Sequence, residues 1–198
     1  PLNVGDTNYD PLFAFGYGLK YGQPGDMRKL SEVRPPSSAT GSDGIYFVRG
    51  ALPPGWNLVP NGGAMVRAVD RRGQEDARRV SFTGPGPQSF TLKTVQPIDL
   101  SRETNAQLSL VFEYRVDTAP AAPVSVALDG VSVPVTGAMK KVGTWRSLAI
   151  PLGCFKRPGN DLSQVTVPFA LMAEGRFTVA ISDIRVASAA IPQGRCSF

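Results

Sequence analysis

Leu108-Ser109-Leu110-Val111-Phe112-Glu113-Tyr114-Arg115-Val116 decides the fold class. Leu108, Leu110, Phe112, Tyr114 and Val116 fall on one side of an extended chain, and Ser109, Glu113 and Arg115 on the other. That alternation predicts a strand with one buried face, because a period of 3.6 would scatter the same residues around a helix. Upstream, Ile45 and Phe47 alternate with Tyr46 and Val48, Met65 to Val69 and Val80 with Phe82 form short apolar runs, and Phe90 and Leu92 alternate with Thr91 and Lys93. Downstream, Val124, Val126 and Leu128 lead to Asp129-Gly130, a hairpin signal, with Val131 and Val133 beyond it. Trp145 to Ile150, Val165 to Leu171 and Phe177 to Val186 complete about ten strands. In the last of these, Ile184 and Val186 are out of phase with Phe177, Val179 and Ile181, so a bulge is expected near Ser182-Asp183. The only helix-like candidates are brief, such as Asp161-Leu162-Ser163. The expected fold is all-β, a two-sheet antiparallel sandwich of jelly-roll type.

Composition agrees with many short strands. Of 198 residues, 21 are Gly and 18 are Pro, too many breakers for long helices, while 42% hydrophobic residues can fill a sizeable core. There is no histidine, which removes the commonest general base and metal ligand and every Ser-His or Cys-His nucleophile pair. The formal net charge is +5. Its carriers are dispersed apart from adjacent pairs such as Arg71-Arg72, Arg78-Arg79 and Lys140-Lys141, without the aromatic-interleaved stripe that would call for a nucleic-acid partner. Arg71-Arg72 and Arg78-Arg79 flank Gly73-Gln74-Glu75-Asp76, which reads as a hairpin end; a solvated loop is the plainer account, a phosphate or acidic-glycan site the sharper one. No apolar run has the length of a membrane span, so no membrane partner is expected. Two cysteines, Cys154 and Cys196, fit one disulfide in an oxidising compartment and fit two free buried thiols almost as well. The chain opens at Pro1 without a methionine or a signal peptide, and is expected to be a piece of a longer protein.

Two stretches resemble a known family. Pro11-Leu12-Phe13-Ala14-Phe15-Gly16-Tyr17-Gly18-Leu19-Lys20-Tyr21 is similar to the PLFPFGYGLSY motif near the end of the second, α/β-sandwich domain of family 3 glycoside hydrolases. It departs from that motif at Ala14 and Lys20 and keeps the Phe-Gly-Tyr-Gly-Leu centre. Further on come Thr144-Trp145-Arg146-Ser147-Leu148-Ala149-Ile150-Pro151-Leu152-Gly153-Cys154-Phe155, Asp161 to Val165, Pro168 to Leu171, and Phe177 to Ile184. These resemble the extra galactose-binding-like jelly-roll domain at the C-terminus of bacterial exo-1,3/1,4-β-glucanases of that family. The resemblance implies that residues 1–22 are the tail of the parent's preceding α/β domain and residues 23–198 a jelly-roll accessory domain. It also implies a parent that is a retaining β-glucosidase or exo-β-glucanase, periplasmic or secreted, whose nucleophilic aspartate and acid/base glutamate lie upstream. No position here matches either, so no catalytic residue is carried over.

Independent glycoside hydrolysis would need two carboxyl groups about 5 to 9 Å apart, one with a raised pKa. Asp43, Asp70, Glu75, Asp76, Asp117, Asp129 and Asp161 sit instead in turn contexts beside Gly, Ser or Arg, where carboxylates cap and solubilise. Asp183, at the expected bulge, is a candidate ligand for a structural calcium, against the simpler role of a hydrogen-bonded loop-end residue. No cofactor is required. For sugar binding by ring stacking the candidates are Trp56, in the loop-like Pro53-Pro54-Gly55-Trp56-Asn57, then Trp145 and Tyr46; the alternative is that each ring fills a gap in the core or packs on a neighbouring domain. Three functions follow: a non-catalytic module docked on the upstream catalytic domains of the same polypeptide, a module that holds β-glucan, or an independent enzyme.

Overall fold

The computed structural model describes residues 44–189 and 196–198. The motif at 11–21, the expected boundary near residue 22 and Asp43 lie outside the described residues. Among the described residues eleven strands form two sheets whose ladders are all antiparallel. The first holds β3 (Met65–Val69), β4 (Ala77–Phe82), β11 (Phe177–Ala187), β6 (Ser109–Thr118) and β9 (Trp145–Pro151) in that order, with β1 (Ile45–Val48) also paired to β11. The second runs β2 (Trp56–Asn61), β5 (Pro87–Thr94), β10 (Phe169–Glu174), β7 (Val124–Leu128) and β8 (Val131–Pro134). The chain crosses repeatedly between the sheets, so side chains from both fill one core.

β6 shows why the sheets close on each other. Leu110, Phe112, Tyr114 and Val116 are buried, and Phe112 meets Phe169 of the opposite sheet edge-on, with ring centroids 5.2 Å apart. Each such ring contributes roughly 1.5–3 kcal/mol by leaving water. Tyr114 keeps its phenol satisfied by donating to the Ala138 carbonyl at 3.0 Å. Asp129 and Gly130, at φ 48° and 88°, turn β7 into β8, the left-handed pair that matches the twist of the flanking strands.

The expected bulge is present. The β11 ladder to β6 slips between Ile181 and Asp183, which restores Ile184 to the core side. The same slip marks a change of partner: β4 pairs with residues Phe177 to Ile181 of β11, and β1 with Asp183 to Arg185.

Three expectations need correction. The strand expected over Val165 to Leu171 begins only at Phe169, because Pro168 has no N–H for the ladder; Val165 makes an isolated bridge to Ile98. β2, whose proline-flanked sequence reads as loop, is an edge strand, where Pro60 is tolerated because one side of the ladder is unpaired. Asp161-Leu162-Ser163 is not helical, since Leu162 lies at φ 69°; the α-helix present among the described residues, α1, is Ser101–Asn105.

Candidate functional site

The structure puts Tyr46 and Trp56 in the core, so neither offers a ring to a sugar. Tyr46 is fully buried and Trp56 is 7% exposed. Their rings stack, with centroids 4.9 Å apart and planes 17° from parallel. Alternation within β1 predicts an outward Tyr46. The β1 ladder slips between Ile45 and Phe47, and consecutive residues Tyr46 and Phe47 both turn inward. Gly55, at φ 81°, makes the turn that delivers Trp56 as the first, inward residue of β2. The Tyr46 hydroxyl has no hydrogen-bond partner among the described residues, and burial, aided by the negative charge of Glu103, pushes its pKa far above the ordinary phenol value.

Trp145, by contrast, lies on the outer side of β9 and is part-exposed, as its phase predicts. The Arg71 guanidinium carbon is 4.5 Å and that of Arg115 5.4 Å from its ring centroid. Cation–π contact of this kind holds the ring within a charged surface. Among the described residues the exposed large hydrophobics are Met65, Val95, Val142 and Met172, none of them aromatic.

Trp145 ends a cross-strand row that spans the first sheet. Arg67 on β3 pairs with Arg79 on β4, Arg79 with Ala180 on β11, Ala180 with Arg115 on β6, and Arg115 with Trp145. Asp117 sits where the β6 ladder slips against β11 and ties two of these arginines together: Arg79 Nε donates to one carboxylate oxygen at 2.8 Å, and Arg115 Nε to the other at 2.7 Å. The next row carries Asp183, Glu113 and Ser147. Glu113 is ion-paired with Arg71 and has Arg72 at 3.7 Å and Arg185 at 3.9 Å.

Arg71 and Arg72 reach this row from the β3–β4 hairpin end. That loop is built around Asp76, whose carboxylate accepts the backbone N–H groups of Arg71, Arg72 and Gly73 at 2.7, 3.0 and 3.0 Å. Asp70 accepts from the Glu75 N–H at 2.7 Å. The sequence reading of a hairpin end is therefore correct, but the arginines lean over the sheet.

Asp183 accepts the Arg49 N–H at 3.0 Å and has Arg185 at 3.6 Å. Among the described residues no cluster of three or more His, Cys, Asp or Glu could hold a metal ion. Cys154 and Cys196 are joined by a disulfide. It holds the segment 196–198 close to β8, where Phe198 exchanges backbone hydrogen bonds with Pro134 and Gly137.

Four carboxylates among the described residues have depressed pKa values. Burial raises the pKa of Asp76, but its backbone N–H bonds outweigh this and hold it below the usual range. Burial likewise opposes, and Arg115 and Arg79 more than reverse, the shift at Asp117. Hydrogen bonds from Ser101 and Ser163 lower Asp99 and Asp161. A glycosidase acid needs the opposite shift.

A family described as galactose-binding domain-like matches residues 55–186. Among solved structures, the extra C-terminal domain of the exo-1,3/1,4-β-glucanase from a Pseudoalteromonas species is similar over 78% of this chain and 97% of that one, at 17% identity and a TM-score of 0.54. The larger glucanase structure matches over 100% of this chain at 22% identity and a TM-score of 0.59, and the chain spans 26% of its length. The family 30 carbohydrate-binding module of a cellulosomal cellulase of Clostridium thermocellum matches over 75% of this chain and 94% of its own, at 20% identity and a TM-score of 0.52. At these identities the likeness is one of fold. No curated protein matches the chain.

Proposed function

The chain belongs to the galactose-binding domain-like family, and on that premise we propose that it is the non-catalytic accessory domain of a family 3 glycoside hydrolase, docked on the catalytic domains. Residues 1–22 would then be the tail of the α/β domain before it, residues 23–198 the accessory domain, and the parent a β-glucosidase or exo-β-glucanase acting on terminal β-glucosyl residues. The observation that carries the docking role is the fate of the three candidate rings. Tyr46 and Trp56 stack on each other in the core, and Trp145 is flanked by guanidiniums. Glucan-binding by stacking needs an open ring face. The Cys154–Cys196 bond supports a periplasmic or secreted location.

Affinity electrophoresis of the chain through laminarin, lichenan and a soluble cellulose derivative tests this reading. Docking without glucan binding gives mobilities equal to those in plain gel. Retardation abolished by Trp145→Ala would make the domain a carbohydrate-binding module instead. Turnover of p-nitrophenyl-β-glucoside that survives purification would make it an enzyme.

A further inference from the structure

The two outer faces of the sandwich differ in kind. The middle rows of the β2-β5-β10-β7-β8 sheet present Asn61, Ser89, Met172, Ser125 and Pro134, then Val59, Thr91, Ala170, Ala127 and Ser132, with no charge among them. The other sheet presents arginine. Arg67, Arg79, Arg115 and Trp145 share one row, Arg185 lies two rows away, and Arg71 and Arg72 lean in from the hairpin end.

We infer that this arginine face of β3-β4-β11-β6-β9 is the surface through which the domain docks, and that the partner is an acidic protein surface on the catalytic domains. The inference rests on the accessory reading above and names its contact. Side-chain type is the first ground. The strands of this face carry arginine and tryptophan with no lysine, and Met65 lies outward beside them, 51% exposed. Arg, Trp and Met are among the residues interfaces enrich, and Lys is among those they deplete.

Preorganisation is the second ground. Asp117 fixes Arg79 and Arg115, Glu113 and the Trp145 ring fix Arg71, and Asp183 and Glu113 flank Arg185. Side chains already immobilised lose little further freedom when a partner arrives. The third ground is the charge left over. Arg67 has no ion pair among the described residues, and the Arg72 side chain is 58% exposed, with its acidic neighbour Glu113 already taken by Arg71. Such forked cations are matched by carboxylates. The size is also suitable: four interstrand steps and the length of β6 outline about 19 by 31 Å, on the order of the interfaces between domains of one chain.

The test uses the glycoside hydrolase polypeptide that carries this domain, scanned by calorimetry in about 50 mM salt. Three forms are compared with the parent: deletion of the domain, Arg67→Glu with Arg72→Glu, and Lys93→Glu with Lys156→Glu off the face. The arginine reversal is expected to reproduce at least half of the fall in catalytic-domain Tm caused by deletion, and the lysine reversal to leave it unchanged. A deletion that lowers Tm while the arginine reversal does not would overturn the docking face and leave the accessory role standing. A deletion without effect would overturn both. Polygalacturonate retarding the chain through these same arginines, with no Tm effect in the parent, would assign the face to an anionic glycan and contradict the inference.

Discussion

Tyr46 and Trp56 stack across the sandwich, one from β1 in the first sheet and the other at the start of β2 in the second. The pair is part of the buried core. Trp56→Ala is therefore expected to cost about 3–5 kcal/mol, as for other buried aromatics cut to alanine. Urea unfolding at neutral pH measures it, and a loss under about 1 kcal/mol would place the ring at the surface.

The Tyr46 hydroxyl is buried without a partner among the described residues. A buried polar group left unsatisfied costs roughly 1–3 kcal/mol. Tyr46→Phe keeps the stack and removes that cost, so its urea midpoint is expected to equal or exceed that of the parent. A clear drop would reveal a partner for the hydroxyl.

Asp76 and Asp117 tie down the hairpin end and the arginine row, and both are held below the unfolded carboxylate value of about 3.9. Groups with depressed folded values add stability that is fully present above the unfolded value. It disappears as pH falls through the folded one. Unfolding midpoints should thus decline between about pH 5 and pH 2, and Asp76→Asn should be less stable at pH 7 with a shallower decline. Unchanged acid sensitivity in that variant would contradict the role given to the loop.

Cys154 and Cys196 close a loop with a sequence separation of 42. On loop-closure grounds the bond stabilises by about 3–4 kcal/mol. Cys154→Ser with Cys196→Ser is expected to lower Tm by roughly 6–16 °C for a domain of this size. Equal Tm values with and without a reductant would deny the bond any part in stability.

Much of the fold is legible because strand parity is local. Leu108 to Val116 declares its buried side within nine residues, and the phase break at Ile184 announces the bulge at Ser182-Asp183. β2 is hidden because Pro53, Pro54 and Pro60 argue against a strand, although Trp56 and Leu58 alternate with Asn57 and carry the signal. Tyr46 defies parity because its inward turn depends on a ladder slip against β11, which four residues do not reveal. The arginine row is illegible for a deeper reason. Arg67, Arg79, Arg115 and Trp145 are neighbours only through the register of separate strands, and register is a long-range property.

The burial of Trp56 decides whether that ring can serve as a sugar platform, and the chain has only two tryptophans. In Trp145→Phe, Trp56 is the sole indole, so its fluorescence reports on that one ring. The account predicts blue-shifted emission, weak quenching by acrylamide and no change when laminarin oligosaccharides are added. Emission near that of free indole, quenched by acrylamide and shielded by the oligosaccharides, would contradict it.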